Sequence, residues 1–133
     1  MKKYFVDTNV FLRLIVNDNT EQHKIAEQIF IDASHNKLKL FTSLVVFFEI
    51  FWVLTSFYEK SKKDVVIILK HVLRMSFIEL EAKETIEKAV AYFEKHNLEL
   101  EDCYNIFYTL DKGVPNILTF DKKLEKNFKK LKN

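Results

Sequence analysis

The chain has 133 residues, a formal net charge of +2 and 48% apolar residues, among them 13 phenylalanines, against one glycine, one proline and one cysteine. That length is one domain with room for a real core, and the apolar content excludes a disordered chain. So few Gly and Pro disfavour a turn-rich all-β sandwich, and a lone Cys103 excludes an internal disulfide or a Cys/His metal site, as expected for a reducing cytosol.

Residues 3–6 (KYFV) have the character of a short buried strand, and 10–16 (VFLRLIV) of a short apolar helix. Asp7, Thr8 and Asn9 stand between them. The break NDNT at 17–20 offers Asn19 as an N-cap with Gln22 at N3, a capping-box pattern. The helix that follows places Ile25, Ala26, Ile29, Phe30 and Ala33 on one face. After a turn at 35–37, LKLFT (38–42) predicts a second strand. Ser43 then caps a helix over about 44–58, apolar nearly all round and expected to be buried, with Trp52 in the core. Ser61 and Asp64 repeat the cap signal before a helix at 62–74. SFIEL (76–80) predicts a third strand and 82–96 a further helix. The connector 98–101 leads to Asp102, expected to open a helix with Ile106, Phe107 and Leu110 inward. Gly113 suits the helix end. NILTF (116–120) predicts a fourth strand, ended by Asp121, and a last helix or tail follows.

Strands alternating with helices, without hairpin signals, predict a parallel sheet covered on both faces within a single domain, 1–133. In such sheets, sites form beyond the carboxyl ends of the strands. Asp7 and Asp121 both follow strands and can converge there. Nothing resembles a signal peptide, and the most apolar run (44–54) is too short to span a bilayer and contains Glu49. A cytoplasmic protein away from the membrane is expected.

Four acids sit where charge is costly. Asp7 follows a buried strand, Glu49 lies between VVFF and IFWVL, Asp102 begins an apolar helix, and Asp121 ends a strand. Capping explains Asp7, Asp102 or Asp121 taken singly. Glu49 on a wet face is the weakest of these plain explanations. An ionised carboxylate in an apolar setting costs several kcal/mol or takes up a proton, on the order given by desolvation. A divalent cation removes that cost. Oxygen ligands without a glycine-rich phosphate loop suit Mg²⁺ or Mn²⁺, and the matching chemistry is metal-assisted phosphodiester hydrolysis. The histidines (23, 35, 71, 96) share no ligand spacing, and Cys103 is expected to pack. From Lys122 onward there are six lysines against one glutamate, either a solvated helix or a phosphate-facing patch.

FVDTNV (5–10), FFEIFWVL (47–54), LEDCYNIFYTL (100–110) and ILTFDKKL (117–124), in that order, resemble the PIN-domain family, and within it the VapC-type ribonuclease toxins. The resemblance implies a three-layer α/β/α sandwich with a central parallel sheet of four to five strands. It implies an Mg²⁺- or Mn²⁺-dependent endoribonuclease of a toxin–antitoxin pair. Carried over, Asp7, Glu49, Asp102 and Asp121 form the acidic quartet, Asn9 helps to position Asp7, and Thr119 hydrogen-bonds within the cluster. It also implies a homodimer and an antitoxin that blocks the pocket. The helix after Asp102 departs from the family in its bulky Tyr104, Phe107 and Tyr108. Two other readings remain. One is a non-catalytic RNA- or protein-binding module on the same fold. The other, a phosphoacceptor receiver domain, lacks the required aspartate after a middle strand.

Overall fold

The computed structural model describes all 133 residues, in the order β1 (Lys3–Phe5), α1 (Thr8–Ile15), α2 (Thr20–Ser34), β2 (Lys39–Thr42), α3 (Leu44–Ser56), α4 (Lys62–Leu73), β3 (Ile78–Leu80), α5 (Lys83–Lys95), α6 (Leu100–Asp111) and α7 (Lys122–Lys132). The chain divides into two units, Met1–Glu81 and Ala82–Asn133. No helix is long and apolar enough to cross a membrane.

The first unit holds a parallel three-stranded sheet in the order β1-β2-β3. Tyr4 pairs with Leu40 and Leu40 with Ile78, while Phe5 pairs with Phe41 and Phe41 with Glu79. In-register partners share a face, so the two sides of the sheet differ. Leu40, Thr42 and Ile78 point into the core. On the other side Lys3 pairs with Glu79 at 2.8 Å and lies over the Phe41 ring, which meets Phe5 edge-on. The predicted caps form. Asn19 accepts from the Gln22 N–H at 3.0 Å, Ser43 from Val46 at 3.2 Å and Ser61 from Asp64 at 3.2 Å. Gln22 does not close the capping box, because its side-chain oxygen instead takes a hydrogen bond from Arg13. Phe11 of α1 packs at a tilt against Phe30 of α2, which in turn meets Phe77 edge-on just before β3.

The second unit packs α5 against α6 and α6 against α7. Ile86, Val90, Leu100, Cys103, Ile106 and Phe128 are buried in it, so Cys103 is a core residue as expected. The bulky residues of α6 find definite places. Tyr104 is buried and stacks on Tyr108, and Phe107 meets Tyr92 of α5 edge-on. Gly113 adopts a left-handed φ of 71° just past α6, where its N–H bonds the Leu110 carbonyl.

Several expectations give way here. The sheet has three strands, because residues 116–120 join no ladder. Leu118 and Phe120 are fully exposed there. Apolar alternation makes a strand possible, and only a neighbouring edge makes it one. β1 is exposed along its length, and of the predicted strand only Val6, just beyond β1, is buried. α3 is not buried all round. It buries Val46, Phe47, Ile50, Phe51 and Leu54, and leaves Val45, Glu49 and Trp52 outward. Trp52 is 61% exposed and no core residue. α6 begins at Leu100 with Glu99 as its N-cap, so Asp102 lies in the first turn and does not cap it.

Candidate functional site

The first unit supplies Asp7 and Glu49. Val6 is held on both sides of its peptide, since its N–H bonds the Phe41 carbonyl and its own carbonyl accepts from the buried Thr42 hydroxyl, each at 2.8 Å. That clamp fixes the end of β1 and the start of α1. Asp7 occupies the N-cap position with extended backbone (φ −82°, ψ 163°), and its side chain makes no cap hydrogen bond. The plain capping explanation therefore fails for Asp7, whose carboxylate is exposed and uncommitted. Asn9 lies in the first turn of α1 and borders a cavity of about 310 Å³ between α1 and α2, lined also by Val10, Arg13, Ile25 and Ile29. Glu49 is exposed on the outward face of α3, which corrects the expectation of burial. The apolar neighbours that suggested burial, Phe47 and Ile50 among them, point to the other side of the helix.

The second unit supplies Asp102 and Asp121. Here the capping explanation holds for Asp121, whose Oδ1 accepts from the Lys123 and Leu124 N–H groups at 2.9 and 3.1 Å. Its other carboxylate oxygen stays uncommitted. Thr119 does hydrogen-bond at this point, but to the backbone. Its hydroxyl accepts from the Asp121 N–H at 3.0 Å and so sets the turn into α7. Burial raises the Asp102 carboxyl above the usual range, and the charges of Asp121 and Glu99 raise it further. Asp102 and Asp121 are thus electrostatic neighbours despite the 18 residues between them in sequence.

The quartet is therefore distributed two and two between the units, and neither unit by itself gathers three His, Cys, Asp or Glu side chains that would hold a metal ion. The donor chemistry still fits a hard divalent cation. All four groups are carboxylates, and the repulsion felt by Asp102 is what a cation relieves.

Two residues were not singled out for these roles in the sequence. The Thr42 clamp looked like an ordinary strand residue. The Thr8 hydroxyl is buried beside Asp7 with no hydrogen-bond partner. A β-branched residue after the aspartate gives no sequence signal of such an orphan.

The chain is thus α/β with a parallel sheet, an uncommitted aspartate after its first strand and two interacting acids downstream. The PIN-domain family model matches residues 4–130, and the chain belongs to that family. No curated protein matches the sequence significantly. Among solved structures, the Mycobacterium tuberculosis VapC20 toxin, described as cleaving the sarcin-ricin loop, aligns at 17% identity over 92% of this chain and 93% of its own, with a TM-score of 0.42.

Proposed function

We propose that the chain is a divalent-metal-dependent endoribonuclease of the VapC type, the toxin of a toxin–antitoxin pair, with residues 1–133 working as one PIN-like domain. The observation that carries this reading is the PIN match over residues 4–130, a span that includes all four acids. In this reading Asp7, Glu49, Asp102 and Asp121 are the carboxylates that would hold Mg²⁺ or Mn²⁺. Such a cation activates water and neutralises phosphate charge. The chain's own groups do the positioning. The Thr42–Val6 clamp sets Asp7, Asn9 flanks it in the next turn, and the Thr119 hydroxyl with the α7 amides aims Asp121. By the same family likeness, the substrate is RNA, the chain forms a homodimer in the cytoplasm, and an antitoxin protein restrains it.

The test is cleavage of a mixed RNA pool by purified, antitoxin-free protein in Mn²⁺, Mg²⁺ or EDTA, with Asp7→Asn and Asp121→Asn alongside. Cuts that need metal and vanish in both variants are expected. Folded wild-type protein that cuts nothing in either metal would overturn the ribonuclease reading and leave a non-catalytic binding module.

A further inference from the structure

α7 carries lysines along its whole length. Helix dipoles favour acids in the first turn and bases in the last. At its ends α7 follows that rule, with Asp121 as N-cap, Glu125 in the first turn and Lys129, Lys130 and Lys132 in the last, but it adds Lys122, Lys123 and Lys126 near its start. At about 100° per residue, Lys122, Lys123, Lys126, Lys129 and Lys130 fall within about 120° of each other. All five are exposed, opposite the buried Leu124 and Phe128. Lys122, Lys126 and Lys130 follow each other at about 6 Å intervals along the axis. Like charges at that spacing repel and weaken a helix. Only Lys129 has an acidic partner, Glu125 at 3.6 Å. Five exposed lysines on one face, with a single acidic partner among them, offer a continuous positive surface to an anion.

We propose that this lysine face of α7 is a phosphate-binding track for an RNA strand, leading to the Asp121 end of the helix; the proposal rests on the ribonuclease reading above. The placement is direct. Asp121 caps the helix whose first residue is Lys122, and Asp102 is its electrostatic neighbour. Phosphates held along the stripe are delivered next to that acid pair. Lysines act as point charges and contain no fork for base edges, so the track contributes affinity and register with little sequence preference. No large apolar side chain is exposed within the stripe to seat a peptide, which favours a phosphodiester chain over an acidic protein segment.

The experiment is fluorescence-anisotropy binding of a labelled oligoribonucleotide in EDTA, titrated with salt, run beside the Mn²⁺ cleavage assay. It compares wild type, K122Q/K126Q/K130Q, the charge-keeping K122R/K126R/K130R, and K24Q/K37Q/K63Q, which removes as much charge from exposed lysines elsewhere. Glutamine keeps helix propensity, and circular dichroism checks the fold of each variant. Loss of three phosphate contacts should lower the slope of log K against log salt by about 2 and the affinity at low salt at least about tenfold. The arginine and control variants should stay near wild type. Unchanged binding by the glutamine variant, an equal loss in the control, or a stripe that binds polyglutamate but not RNA would overturn the track. Stripe-dependent binding without metal-dependent cleavage would sustain the track and sink the nuclease reading, so the two fail separately.

Discussion

Asp7 and Asp121 occupy the same kind of position, the N-cap of a helix, and use it differently. Asp121 spends one oxygen on two backbone N–H groups, while Asp7 spends none. Asp7→Asn should therefore leave urea stability within about 0.5 kcal/mol while abolishing cleavage. Asp121→Ala should cost about 1 kcal/mol for the lost cap, and Asp121→Asn, which can still cap, should cost less. A large stability loss in Asp7→Asn would mean that its carboxylate has a structural task. Asp102 makes a pH-dependent prediction. Its carboxyl is raised by burial and by Asp121 and Glu99, so the folded chain binds that proton more tightly than the unfolded chain does. Its contribution then favours folding at low pH and is lost as pH rises through the folded value. In EDTA, Asp102→Asn should melt above wild type at about pH 7, and the gap should close near about pH 3, where an unperturbed Asp is protonated. Thr8→Val removes a buried hydroxyl that has no partner. It should be neutral or stabilising by up to about 1–3 kcal/mol, the usual desolvation cost. A destabilised variant would show that the hydroxyl is satisfied.

At the scale of elements, α3 shows how far local pattern reaches. Its start was legible, because Ser43 before an apolar run is a complete local instruction, and Ser61 and Asn19 are others. Its burial was not. Thirteen residues with one charge allow every face to be buried, and the face that turns outward depends on what packs against the helix. Trp52, the one tryptophan, reports on this directly. Its fluorescence should be readily quenched by iodide, and Trp52→Ala should change stability by less than about 0.5 kcal/mol. Leu54→Ala, at 0% exposure on the opposite face, should cost about 2–5 kcal/mol. A shielded Trp52 would overturn this orientation of α3. Residues 116–120 teach the same lesson for strands. Their apolarity was visible, but hydrogen-bonded pairing belongs to two segments at once.

At the scale of the whole molecule, the proposed cation would link the acids to stability. A ligand that binds only the folded chain stabilises it by about 2.7 kcal/mol at one hundred times its dissociation constant. Mn²⁺ should therefore raise the melting temperature of wild type, and Asp7→Asn and Asp121→Asn should each lose most of that shift. An undiminished shift in both variants would place the cation elsewhere. The family itself was legible from four short stretches read in order, and the match over residues 4–130 agrees with it. The sequence by itself determined the helix caps at Asn19, Ser43 and Ser61, the left-handed end at Gly113, the alternation of strands with helices and the identity of the acids. These depend on residues within a turn of one another or on side-chain chemistry alone. Only the tertiary structure decided that Glu49 and Trp52 face outward, that β1 is an edge, that the Asp7 side chain does not cap α1 and that Asp102 feels Asp121. Burial, pairing and charge coupling are set by groups distant in sequence, and no local pattern contains them.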